Sequence, residues 1–386
     1  MPDPRAKPDL IVVGAGIVGL AHALAGARRG MDVLVIDRDA QANGASIRNF
    51  GFVTVTGQEK GRVWSLARRS AALWREIAPH AGIAVEQEGL FLVARRPEAA
   101  AVIEAFAQTE MGEDCTLLSS AEAKARCPQL AADVAGALLS RADLRVESRT
   151  AIPLLARWLE ETQGVRFKRG AAVTGITSGL VRLGDGTYLK GREIVVCPGD
   201  DWASLFPREY AMAGVVRCQL QMLRLAAPGW RLPAAVMSDL SMVRYLGYAA
   251  LPEAEALRVR LEQERAEALG YGIHLIAVQG ADGSLVVGDS HVYAQTPPPF
   301  ASAAIDEAMI AQFTDLFGEA PPVIERWTGT YASGPDHSIV RRMMPGVRLV
   351  VVTSGTGAST GFALAEDVIA QLCEEEEKRT KSCIPS

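Results

Sequence analysis

LIVVGAGIVGLAHALAGARRGMDVLVID, residues 10–37, reads as one continuous strand, turn, helix and strand that ends on an acid. Residues 10–13 are an apolar run of the kind a parallel strand needs when both its faces are covered. Gly14 allows a tight turn, Gly16 lets backbone approach a pyrophosphate, and Gly19 lets the following helix lie close on the strand. That helix, 17–29, opens with Ile17 and Val18 and aims its free amides and positive dipole end at phosphate. Gly30 stops it, and 31–36 supplies the next strand. Asp37 stands 23 residues after Gly14, close to the spacing at which a carboxylate accepts ribose hydroxyls, and it disfavours the 2′-phosphate of NADP. Three glycines alone also serve ordinary turns. With strand, helix, strand and acid in register, the unit predicts a dinucleotide, FAD or NAD.

The chain has 386 residues, enough for two domains or one large interleaved pair. Its 49% hydrophobic and 22% charged residues describe a soluble globular protein. A formal charge of −5 gives no electrostatic reason to expect nucleic acid or an anionic membrane. Cys115, Cys127, Cys197, Cys218, Cys373 and Cys383 lack CxxC spacing, so neither a zinc site nor a disulfide framework is indicated; they read as reduced thiols of a cytoplasmic protein. The N-terminal apolar stretch is the glycine-broken unit itself and carries no cleavage pattern, and no other stretch approaches the roughly 20 apolar residues of a membrane span. Residues 375–386 are expected to form a flexible charged tail. Its end, 383–386, has the outline of a prenylation box, but Pro385 is an odd occupant and no lipid anchor is expected.

NGASIRNFGFVTVTGQ, 43–58, is a glycine-rich loop before a predicted helix at 62–80. A strand at 88–96 and helices at 97–111, from 120 onwards and at 149–164 follow. Short strands come next, with a hairpin turning at Asp185 and Gly186; the last of them runs into Pro198 and Gly199, a second place where backbone can approach a ligand. From Arg217, CQLQMLRL, VRYLGYAAL, YGIHLIAVQ and SLVVGDSHVY read as alternating strands of a mixed or antiparallel sheet with one wet or ligand-facing side. Helices at 253–268 and 305–317 interrupt and follow them. RLVVVTSGTGASTGFALAEDVIAQL, 348–372, closes the chain as strand, glycine turn and helix, so Ser354, Gly355, Thr356 and Gly357 lie where a helix N-terminus presents free amides to an anionic group. In a flavoprotein the useful target is the pyrimidine edge of the isoalloxazine; a plain strand-to-helix connection is the competing reading.

Together these stretches resemble the D-amino-acid oxidase and sarcosine oxidase superfamily of FAD-dependent amine oxidoreductases, through GAGIVGL, GASIRNFG, VVCPGDDW and SGTGASTGFALAEDV, over nearly the whole chain. SIRNFGFVTVTGQ, the GDSH of 288–291, RWTGTYASGPDHS at 326–338 and VTSGTGASTGFALAE are similar to a narrower clade associated with bacterial phosphonate catabolism. The resemblance implies an α/β fold in which a Rossmann-like, glutathione-reductase-like FAD-binding domain (1–85, 140–215 and 326–374) is interleaved with a mixed-sheet α+β substrate domain (86–139 and 216–325). It places Gly14, Gly16, Ile17, Val18 and Gly19 on the pyrophosphate, and Asp37 and Arg38 at the adenosine. Ala45, Ser46, Asn49, Phe50 and Gly51 fall beside the pyrophosphate and flavin, and Val173 offers backbone to the adenine. Pro198, Gly199 and Gly329 are further cofactor contacts, and Gly355, Thr356 and Gly357 face the flavin ring, followed by Ser359 and Thr360. Where monomeric sarcosine oxidase tethers its flavin through a cysteine, TGTYASGPD has Gly329 and no thiol, which implies non-covalent FAD. Where that enzyme has a carboxylate-binding lysine, this chain has Ser359 or Thr360, so the substrate anion must be gripped differently.

Amine oxidation by flavin asks for a neutral amine, its C–H bond aimed at N5, and a site that stabilises the reduced ring; it needs no nucleophile triad or metal cluster, and the sequence displays none. An aminoalkylphosphonate adds a dianionic head that favours Arg, His and Tyr donors. The candidates are Arg48, Tyr245, His291, Arg326, Tyr331 and His337, with Arg217 and Arg244 as further arginines. For each arginine a solvated surface charge competes, and for the histidines a structural role. The expected reaction takes hydride from the carbon beside an amine, and water hydrolyses the imine to an aldehyde and a freed amine; oxygen or another acceptor restores the FAD. The expected substrate is 2-aminoethylphosphonate or its N-methyl derivative. The rivals are oxidation of glycine, sarcosine or a D-amino acid, a non-catalytic flavoprotein, and a nicotinamide dehydrogenase.

Overall fold

In the computed structural model, which describes residues 7–131 and 133–382, the opening segment forms strand Leu10–Val13, helix Ile17–Ala27 and strand Val33–Ile36. The two strands pair in parallel, Leu10 opposite Val33 through Val13 opposite Ile36. On its other side Leu10–Val13 lies parallel to Glu193–Val196, which lies parallel to Val347–Ser354; Arg166–Lys168 extends the sheet beyond Val33–Ile36. Alternation along the first strand explains why it is apolar throughout. Leu10 and Val12 pack against Leu20 and Leu24 of the first helix and Phe362 of the last, while Ile11 and Val13 face the antiparallel hairpin strands Val173–Thr177 and Leu180–Leu183.

The rest of the sheet is built around Val216–Leu225, antiparallel to Leu285–Gly288, to Val292–Ala294 and to Val323–Met344. From Leu285–Gly288 the order continues through Ile276–Gln279, Ala235–Met237, Val85–Ala94 and Gly136–Val146. Strand Val323–Met344 joins the two regions. As far as Ser333 it pairs with Val216–Leu225, and from Ser333 onwards it pairs with Val347–Ser354, its register shifting between Ser333 and Ser338. Gly334 and Pro335 fall in that shift, where a residue without an amide donor is tolerated. The observed fold is therefore mixed α/β, as expected. The domain limits drawn at 85, 139 and 325 fall inside Val85–Ala94, Gly136–Val146 and Val323–Met344, because the regions share a hydrogen-bonded sheet and are not joined there by linkers.

Three local readings are corrected. VRYLGYAAL is not a strand: it contributes the end of the 3₁₀ turn Asp239–Val243 and the short helix Leu246–Ala249. Tyr248 turns in to pack on Phe106, with ring centroids 4.6 Å apart, while Leu246 stays exposed. The helix expected at 253–268 is two, Ala254–Glu264 and Ala266–Gly270, broken at Arg265. The closing helix, Gly357–Ser382, runs through most of the segment expected to be a flexible tail, where Glu375 pairs with Arg348 and Glu376 with Arg192 at 2.9 Å. Residues 383–386, with the prenylation-like box, lie outside the described residues. Among the described residues no helix is long and apolar enough to cross a membrane.

Candidate active site

The first turn is glycine for steric reasons. Gly14 has φ +103°, and a Cβ there would overlap the Cys197 carbonyl; a Cβ on Gly19 would overlap the Gly14 carbonyl. The helix beginning at Ile17 has no capping side chain of its own, and Ser46 acts from a distant loop, its Oγ accepting the Ile17 N–H at 2.9 Å. Asp37 accepts the Ala15 N–H at 2.5 Å and the Asp39 N–H at 2.8 Å, so the acid that ends the second strand also fixes the glycine loop.

The second turn comes to meet the first. Gly355 has φ +73° and lies against the Tyr331 ring, and a Cβ on Gly357 would stand 3.4 Å from Ile17 Cγ2. Trp74 Nε1 donates to the Ala358 carbonyl at 2.8 Å, and Ser359 Oγ accepts the Thr54 N–H at 2.9 Å. A cavity of about 490 Å³ is walled by residues 16–19 at one turn and 354–359 at the other, with Ala45, Ser46, Arg48, Asn49, Phe50, Gly199 and Gly329 between them. The Asn49 side chain folds this loop, donating to the Ala45 carbonyl and accepting the Gly51 N–H, both at 2.6 Å. Arg48 donates to Asn43 at 3.0 Å, and Gly329 has no side chain to clash with the Arg48 carbonyl, 2.8 Å from where its Cβ would be. A lone helix end bracketed by glycine, a hydroxyl cap and a second helix end on the same cavity fit a dinucleotide with an anionic middle and a polar ring. The wider hollow around Arg95, Arg265 and Asp315 is different: both of its arginines are already paired with Asp315.

Beyond the second turn the cavity is lined by Arg244, Tyr245, His274, Asp289, His291, Tyr293 and Tyr331. Arg244 is half-buried and donates to Tyr293 Oη at 2.9 Å. Desolvation opposes its charge, but the hydrogen bond to Tyr293 and the nearby Asp289 carboxylate hold it cationic. Burial raises the hydroxyl pKa values of Tyr245, Tyr293 and Tyr331, so all three remain protonated and able to donate. Desolvation also opposes the Asp289 carboxylate, yet with the Arg244 charge nearby it stays below the usual range; burial holds His274 low and His291 down to about 3. Nearer the second turn, His337 Nε2 lies 3.1 Å from Thr360 Oγ1 and 3.2 Å from Thr356 Oγ1, and burial with the charge of Arg62 lowers it to about 4.

Of the residues singled out by sequence, Arg48, Tyr245, His291, Tyr331 and His337 come to this cavity and Arg326 does not. Arg326 is about half exposed and paired with Asp306 at 2.6 Å on the outer side of its strand. Arg217 is also elsewhere, stacked 4.1 Å over Trp202 and bound to the Asp200 and Gln295 carbonyls. Arg38 pairs with Asp201 at 2.5 Å; like Gly14, Asp37, Gly51, Val173, Pro198 and Thr360, it is outside the cavity wall. His274, Asp289 and Tyr293 are members of the site that sequence reasoning missed. GDSH is visible as a motif, but the pairing of His291 with His274 depends on two strands meeting across a turn.

Residues 9–372 match a family model described as DAO, FAD dependent oxidoreductase. Among curated proteins, one of the subunits of the opine oxidase of Rhizobium meliloti is 28% identical over 220 residues, 52% of this chain and 58% of that protein, so the match spans little more than half of that relative. Among solved structures, glycine oxidase from Geobacillus kaustophilus superposes with TM-score 0.76 at 19% identity, covering 96% of this chain and 95% of its own. L-Proline dehydrogenase from P.horikoshii superposes with TM-score 0.75 at 20% identity, covering 96% and 94%. At such identities the structural likeness shows the fold.

Proposed function

The chain belongs to the DAO family of FAD-dependent oxidoreductases, and from that premise we propose that it oxidises a small amine carrying an anionic head, an aminoalkylphosphonate such as 2-aminoethylphosphonate or its N-methyl derivative. The observation that carries this reading is the cationic Arg244 among protonated tyrosines at the end of the cavity that holds both glycine turns. FAD held there without a covalent bond supplies the acceptor for a hydride from the carbon beside the amine. Residues 16–19 and Ser46 would hold its pyrophosphate, and Gly355, Thr356 and Gly357 its ring.

The chain's own residues do the positioning. Arg244 and the hydroxyls of Tyr245, Tyr293 and Tyr331 grip the anionic head, which fixes the distance from head to reacting carbon. His337, neutral and tied to Thr356 and Thr360, adds no positive charge that would repel a substrate ammonium. Water then hydrolyses the released imine to an aldehyde and a free amine.

A second reading, oxidation of glycine, sarcosine or a D-amino acid, draws support from the single arginine at the head-group end, enough for a carboxylate monoanion. Opine oxidase and glycine oxidase among the similar proteins point the same way. Turnover of matched amines bearing phosphonate, carboxylate or no anion separates the readings. Phosphonate preference supports the first, equal or better use of carboxylates the second, and indifference to the anion defeats both.

A further inference from the structure

His274, Asp289 and His291 form a buried trio in which hydrogen bonding leaves the His291 Nε2 lone pair facing a carboxylate. His291 Nδ1 lies 2.8 Å from the Gly272 carbonyl, which can only accept, so Nδ1 carries the ring proton and Nε2 presents a bare lone pair. That lone pair stands 3.7 Å from Asp289 Oδ2, another acceptor, beyond hydrogen-bond reach. His274 can take the same tautomer. The His274 carbonyl accepts from Ser238 Oγ at 3.0 Å and from Ser241 Oγ at 2.8 Å; with the Ser241 proton placed there, Nδ1 at 3.4 Å donates to Ser241 Oγ and Nε2 is free to bind a metal ion, whereas the other tautomer donates from Nε2 to Asp289. This Nε2 is 2.9 Å from Asp289 Oδ1, an oxygen with no other hydrogen-bond partner among the described residues although Asp289 is only 5% exposed. A buried lone pair facing a carboxylate oxygen is costly unless something positive lies between them.

We propose that His274 Nε2, the Asp289 carboxylate and His291 Nε2 bind a divalent transition-metal ion. One atom from each residue can be chosen so that all lie within 4.8 Å of one another. Two neutral imidazoles and a carboxylate suit zinc and its first-row neighbours, and ring nitrogens anchored on a backbone carbonyl and a hydroxyl are the usual outer support of metal-bound histidine. Three protein ligands leave a coordination position open. All three residues line the cavity beside Arg244, so that position takes an oxygen of the substrate's anionic head; this last step rests on the function proposed above.

The test uses the full-length FAD-loaded protein, stripped with chelator and titrated calorimetrically with Zn²⁺, with elemental analysis after desalting. About one zinc per chain is expected, bound roughly tenfold or more weakly by His274→Gln and Asp289→Asn proteins that retain their FAD. No binding by the unsubstituted protein, or binding unchanged in both variants, overturns the site. Should the variants lose FAD, the X-ray absorption spectrum of zinc in the unsubstituted protein decides: imidazole nitrogens with oxygen support the site, and sulfur ligands or oxygen alone overturn it. Methylphosphonate and acetate are then added. A changed zinc shell supports the open position and an unchanged one overturns it, while flavin bleaching by amines judges the proposed function separately.

Discussion

At Gly19 there is no room for even one methyl group, because a Cβ would occupy the position of the Gly14 carbonyl oxygen. Gly19→Ala must therefore push the helix off the strand or open the turn, and its FAD content after purification is expected to fall about tenfold or more, read as the flavin-to-protein ratio. Two arginines give the contrasting case. Arg244→Met removes the cation at the head-group end and should raise KM about 10- to 100-fold with FAD still bound, the size expected for a charge-assisted hydrogen bond. Arg326→Met should leave KM alone; its cost falls on stability, because it takes one partner from the buried Asp306, which keeps its hydrogen bond from Gln221. Residue identity did not separate these arginines in the sequence. Glycines were legible because their reason is local sterics, whereas the worth of an arginine depends on which side of its element meets the cavity. Steady-state kinetics on the two variants checks the assignment.

At the level of elements, the strand, turn and helix units at both ends were legible because each is local and carries its own punctuation. Val323–Met344 was not: its RWTGTYASGPDHS reads as a motif, and only pairing with two partners makes it a strand. VRYLGYAAL misled because its apolar residues fit alternation as well as they fit a turn, and Gly247 is forced against the Gly57 and Gln58 backbone only in the folded chain. Ser359 shows how the closing helix is held. Its hydroxyl accepts the buried Thr54 N–H and meets Thr54 Oγ1 at 3.1 Å, and Gln58 donates to that same oxygen at 2.7 Å. Ser359→Ala leaves a buried amide without a partner and is expected to cost about 1–3 kcal/mol, seen as an earlier midpoint in chemical denaturation.

Across the whole molecule, acid sensitivity follows from histidines that folding buries uncharged. His22 is fully buried beside Cys197, and desolvation, opposed only partly by the Val18 carbonyl, lowers it from 6.5 to about 4; His337 is lowered to about 4 as well. The unfolded chain takes up these protons near pH 6.5 and the folded chain only near 4. Stability is thus full above 6.5 and declines as pH falls through that window, by roughly 3 kcal/mol for His22 across its whole width. Denaturation midpoints measured from pH 6.5 down to 4 should fall, and His22→Gln should flatten the slope; a midpoint that rises on acidification contradicts the burial argument.

The central claim is that two helix ends far apart in sequence meet at one FAD, with a cationic head-group site beside it. Anaerobic titration of the purified protein with amines, followed by the visible flavin absorbance, tests it most directly. The account predicts a yellow protein that releases its FAD on denaturation and is bleached by an amine with an anionic head but not by the same amine without one. A colourless protein that takes up no FAD, or one bleached equally well by the uncharged amine, would contradict it.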